Sequence, residues 1–103
     1  MNHIELLQDL LHQCSDIGLR LYEHHYNYLA FGSWSLVIGT AKHRMRFVWD
    51  GKESYLSIAF SSFNNQNSLP VWEPVFPSIG GTTITQEKVF EHIIQVLREY
   101  RAT

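Results

Sequence analysis

The chain has 103 residues, 45% of them hydrophobic, 14% aromatic and 17% charged, with a net charge of −2 and a sequence pI near 6.3. Those values describe one folded domain with a single core, rule out two domains, and disfavour nucleic acid because no global positive field exists to neutralise phosphates. Cys14 is the single cysteine, and the opening MNHIELLQDLLHQ carries no basic leader; with no apolar run near the ~18–20 residues of a membrane helix, the reading is a cytoplasmic protein without a membrane partner.

In chain order, residues 2–15 read as a helix. Asn2 and Glu5 have the spacing of a capping box, and Ile4, Leu7, Leu11 and Cys14 form a stripe widened by Leu6 and Leu10. Gly18 stops it. From Leu19 the period becomes two: Leu19 and Leu21 on one side, Arg20, Tyr22, His24, Tyr26 and Tyr28 on the other if the strand runs unbroken. The first side then continues into Glu23, His25 and Asn27, poor core residues, so a bend or bulge between Glu23 and Asn27 is the competing reading. Gly32-Ser33 has the form of a type II′ turn. Trp34, Leu36 and Ile38 then share one face of the next strand, where Gly39 weakens the pairing or admits a neighbour.

The clearest organisation lies in Arg44–Phe63. Met45, Phe47 and Trp49 alternate with Arg44, Arg46 and Val48; Asp50-Gly51 supplies a turn; Leu56, Ile58 and Phe60 alternate on the return arm. If the register puts these two sets on one face, pairing the arms gives an apolar sheet surface that other elements must cover. At about 64–82 follows a loop containing Pro70, Pro74 and Pro77, which forbid a regular central strand. A loop of this length is functional, disordered or partly an edge strand, and its Val71, Trp72, Val75 and Phe76 imply that it lies across the protein with some of them buried. The last helix is capped by Thr85 and stapled by Ile84 and Val89, with Val89, Ile93, Val96, Leu97 and Tyr100 as its stripe, assisted by Phe90 and Ile94. The fold class is therefore α+β: an antiparallel β-meander of about four strands packed on an N-terminal and a C-terminal helix, a two-layer sandwich spanning residues 1–103 as a single domain.

The chemistry-bearing residues are weighed against this frame. Six histidines lack any metal-ligand spacing, no metal or cofactor is expected, and Cys14 sits in an apolar helix stripe where a thiol is inert. No nucleophile elbow, dinucleotide fingerprint or phosphate loop occurs. An enzyme would have to rest on a pair such as His24 with Asp50 or Glu53. The polar rings Tyr22, His24, Tyr26 and Tyr28, with Arg44 and Arg46 on a neighbouring strand and Trp72 on the loop, are the binding candidates. Tyr, Trp and Arg are the types most enriched at interface centres. They point to a non-enzymatic domain that binds another protein through the sheet face and the Pro-rich loop. The alternatives are self-association as a homodimer, and a small-ligand protein or enzyme with a pocket between loop and sheet.

The segment FGSWSLVIG followed by RMRFVWDGKESYLSIAF resembles small, poorly characterised bacterial proteins that share a Phe-Gly-x-Trp turn and an Arg-x-Arg-Phe-x-Trp-Asp-Gly-Lys/Arg hairpin. Some of those resemble immunity proteins of polymorphic toxin systems. The likeness covers about Phe31 to Phe60 and implies a binding role with a toxin as partner. It assigns no functional residue.

Overall fold

A computed structural model describes residues 2–62, 72–74, 79–81 and 83–102; the side chains of residues 62 and 102 fall outside the described set. The first helix, α1, spans His3–Asp16. The Asn2 side chain accepts the Glu5 backbone N–H at 2.9 Å, satisfying one of the donors that a helix start leaves unpaired. At the other end Gly18 turns the chain at φ +77°, and the Leu19 N–H donates back to Cys14 at 2.9 Å.

Four antiparallel strands follow as a meander: β1 (Arg20–Asn27), β2 (Ser33–Gly39), β3 (His43–Asp50) and β4 (Tyr55–Ser62). Two short pieces, β5 (Glu73–Pro74) and β6 (Ile79–Gly80), both run antiparallel to the outer edge of β4. The described part of the Pro-rich segment thus lies along the sheet edge, where proline is tolerated; the expectations for Val71, Val75 and Phe76 fall outside the described residues. The second helix, α2, spans Gln86–Ala102, and the Thr85 hydroxyl accepts the Lys88 N–H at 3.2 Å.

The β3–β4 register places Met45 opposite Phe60, Phe47 opposite Ile58 and Trp49 opposite Leu56, as the alternation requires. These residues join Trp34, Leu36 and Ile38 under Leu6, Leu7, Leu10 and Cys14 of α1 and Val89, Phe90, Ile93, Ile94 and Leu97 of α2. Both helices therefore cover one sheet face. The α1 stripe is rotated from its expected centre: Ile4 is 55% exposed, and His3, one residue earlier, turns inward against Phe90.

Both hairpin turns differ from the simple two-residue forms. In the β1–β2 connection the positive φ angles fall on Phe31 (58°) and Gly32 (73°), while the Ser33 N–H donates to the Ala30 carbonyl at 3.0 Å. The turn is centred one residue earlier than Gly32-Ser33 and has the type I′ sign pattern, which matches the strand twist. In the β3–β4 connection the positive φ belongs to Ser54 (53°). Gly51 is needed there for space: a Cβ on it would stand 2.0 Å from the Phe31 carbonyl oxygen. The two loops are stitched together by the Gly51 N–H donating to the Ser33 hydroxyl oxygen at 2.9 Å.

Candidate functional site

The candidate ring residues are divided by a β-bulge. The β1–β2 register runs Arg20–Gly39 and Leu21–Ile38, then resumes at Glu23–Val37 and His24–Leu36, leaving Tyr22 as the extra residue. Such an insertion reverses which face the following residues occupy. His24 and Tyr26 consequently sit opposite the core residues Leu36 and Trp34, on the helix-covered face. The bulge stands at Tyr22, before the Glu23–Asn27 interval expected for it, and its consequence is that His24 and Tyr26 rather than Glu23 and His25 stand opposite Leu36 and Trp34, which keeps the Glu23 carboxylate off the helix-covered face. Tyr28 lies beyond β1 in the connecting turn, 72% exposed.

Tyr22 remains on the uncovered face, where successive cross-strand rungs can be followed. One runs Arg20–Gly39–Arg44–Ser61, the next Glu23–Val37–Arg46–Ala59–Pro74, and the third His25–Ser35–Val48–Ser57. The Arg44 guanidinium stacks over the Tyr22 ring at 3.9 Å, with Arg20 at 6.0 Å from the same ring. Arg46 stacks over Trp72 at 4.7 Å. Cation–π contacts of this kind are worth about 0.5–2 kcal/mol depending on solvent access. They also hold the planar guanidinium still, with its edge directed away from the ring for hydrogen bonding. The Nε of Arg46 is buried with no hydrogen-bond partner among the described residues. Three guanidinium groups against the single carboxylate of Glu23 make these rungs locally cationic on a chain of net charge −2.

Four of the seven candidates, Tyr22, Arg44, Arg46 and Trp72, thus share one surface. Towards its far end the face becomes small and neutral, a shallow depression of about 220 Å³ bordered by His25, Asn27, Ser33, Ser35 and Val48. Beyond it stand Tyr55, also half in solvent, and the β1–β2 turn.

His24 and Tyr26 do something else. His3 of α1 stacks on Tyr26 at 4.4 Å and on His24 at 5.2 Å, and the His3 and His24 Nε2 atoms lie 2.9 Å apart. Trp34 tilts against His3 and Phe90 and donates its indole N–H to Gln86 Oε1 at 2.9 Å. One imidazole must donate and the other accept, so both cannot be cations. Burial, then the facing His24, lowers the His3 pKa; burial, then neighbouring His25, lowers that of His24. This cluster was not expected from spacing, although His3, Leu7, Leu10 and Cys14 stand at helical intervals that would have placed His3 inward.

His24 and Asp50, weighed above as a catalytic pair, are each engaged with another partner. His24 pairs with His3, and the Asp50 carboxylate caps its own loop by accepting the Lys52 and Glu53 N–H groups. Burial pushes the Cys14 thiol up to about 11, so it remains protonated and poorly nucleophilic. Among the described residues no group of three or more His, Cys, Asp or Glu side chains converges as a metal site, and no helix is long and apolar enough to cross a membrane. No protein-family model, no curated protein and no solved structure matches this chain.

Proposed function

We propose that this chain is a non-enzymatic protein-binding domain whose docking surface is the sheet face opposite the helices. The observation that supports it is the pair of stacked units, Tyr22 with Arg44 and Arg46 with Trp72, on the face that neither helix covers. Immobilised Arg and aromatic side chains form interface hot spots because little rotamer entropy remains to be lost on binding. Their positive charge favours a partner with an acidic surface. An immunity-type role in a bacterial cell, with a toxin as that partner, is the form of the proposal to which the resemblance of Phe31–Phe60 leads.

The β1 edge argues for this over self-pairing through strands. A bulge at Tyr22 and charged or polar side chains at Glu23, His24 and His25 are devices that discourage edge-to-edge pairing.

The test uses the full chain as bait in its native cells, followed by affinity measurement with the purified partner. Tyr22→Ala and Trp72→Ala should each weaken binding by about 2 kcal/mol, roughly 30-fold, with melting temperatures close to wild type. Gln95→Ala, on the exposed side of α2, should leave binding unchanged. Unaltered affinity in both aromatic variants would place the docking surface elsewhere.

A further inference from the structure

The β1–β2 turn carries an arrangement that neither folding nor the stacked arginines account for. Tyr28, Leu29 and Phe31, three large side chains within four residues, are 72%, 80% and 70% exposed. A single exposed apolar side chain is ordinary, whereas a cluster at a loop tip marks a contact. Phe31 additionally holds φ at +58°, a region that costs a bulky L-residue about 1–2 kcal/mol, and the core gains nothing from its ring.

The tip is also held firmly. The Asn27 side chain accepts the Leu29 N–H at 3.1 Å. The Ser33 hydroxyl donates to the Ala30 carbonyl at 2.7 Å and accepts the Gly51 N–H. Gly51 itself lies flush against the Phe31 carbonyl, where no Cβ fits. The apolar side chains are thus presented on a braced backbone, the condition under which a protruding anchor loses least entropy when it is buried.

We infer that Tyr28, Leu29 and Phe31 form a protruding anchor that inserts into an apolar cleft of a partner protein, extending the contact made by the sheet face. The inference rests on the protein-binding reading above and adds to it a second, separable hot spot. Charge selects the class of partner. The adjoining β3–β4 loop carries Asp50 and Glu53 against Lys52, so the tip approaches with net negative charge. A protein offering a basic rim beside the tip and an acidic patch beneath the arginines would match both charges, a patterned complement that a uniformly anionic lipid surface does not offer. The tip also adjoins the shallow depression bordered by Asn27 and Ser33, giving continuity with the docking face. A second copy fits poorly: the apolar groove floored by Leu6, Leu10, Phe90 and Ile94 is rimmed by Asp9, Glu87 and Glu91, of the same sign as the tip.

The experiment places the photo-crosslinker p-benzoyl-phenylalanine at position 31 of the full chain, or at position 95 on α2 as control, in the native cells. The cross-linked protein is identified, purified and titrated with wild type, with Leu29→Ser/Phe31→Ser and with Tyr22→Ala. The expected result is one partner captured from position 31 and not from 95, its cross-linked residues lining an apolar cleft, and affinity reduced at least 30-fold by the double variant without loss of thermal stability. Four outcomes overturn the inference: a cross-link only to a second copy, flotation of the wild-type chain with phosphatidylcholine/phosphatidylglycerol vesicles that the double variant abolishes, wild-type affinity in the double variant, or no specific cross-link. If Tyr22→Ala weakens the partner and the double variant does not, the anchor fails while the sheet-face reading stands; if neither weakens it, both fail.

Discussion

Phe31 and Gly51 show how a single residue can be constrained by something other than its own turn. Gly51 follows Asp50 in what reads as a turn dipeptide, yet its role is to let the backbone of the neighbouring loop pass at contact distance. Phe31 occupies a left-handed position that glycine would fill without strain. Phe31→Gly should therefore stabilise the fold by roughly 0.5–1 kcal/mol, the relief of strain exceeding the added chain entropy of glycine. Urea denaturation measures it, and a loss of stability would show that the exposed ring contributes to folding after all. Conversely, a gain accompanied by weaker partner binding would mark this residue as kept at the expense of stability.

At the scale of elements, α1 and β1 meet through His3, His24 and Tyr26, and that contact makes their packing sensitive to pH. Both histidines titrate below the usual 6.5 in the folded state, so the unfolded chain binds protons first as pH falls. The packing contribution is complete above pH 6.5 and is lost progressively as pH drops through the lowered folded values. Stability from urea melts should decline in the wild type as pH falls below about 6.5. In His3→Gln/His24→Gln the decline should flatten, since no imidazole remains to be charged at the contact. Equal slopes for the two proteins would assign the pH dependence to other groups. A second tie between helix and chain end is independent of this pH window: Arg101 donates to the Ile17 carbonyl at 3.1 Å, where a cation also complements the helix C-terminus.

For the whole molecule, the two sheet faces differ in burial, and neighbouring residues on one strand should report the difference. Phe47 is fully buried beneath both helices, and Phe47→Ala should cost about 3–5 kcal/mol through lost transfer energy and the cavity left behind. Against a total of about 5–15 kcal/mol for such a domain, thermal melts should move down by on the order of 20 °C. Val48, the next residue, lies on the uncovered face and is exposed; Val48→Ala should change stability by no more than about 0.5 kcal/mol. Comparable losses at both positions would mean that both faces are buried.

The meander, the two helices, their caps and the apolar faces of β3 and β4 were legible in the residues, because local periodicity acts over a few positions; the β3–β4 register was not, since a two-residue Asp50-Gly51 turn would pair Trp49 with Lys52, whereas the longer loop pairs it with Leu56. The hairpin core of Met45, Phe47, Trp49, Leu56, Ile58 and Phe60 follows from alternation once the register places both sets on one face. The fate of the ring ladder did not. Whether Tyr22, His24 and Tyr26 share a face depends on one bulge, and the position of a bulge is decided by which residues the facing strand and helix can bury. Likewise, Leu29 and Phe31 alternate as strand residues would, and only the stitching of two loops through Ser33 and Gly51 turns them outward into a tip. What the sequence determined by itself was every element whose pattern is satisfied within one helix or one pair of strands. Tertiary structure alone decided which polar rings became core and which stayed at the surface, because that choice is a competition between distant segments for the same buried volume.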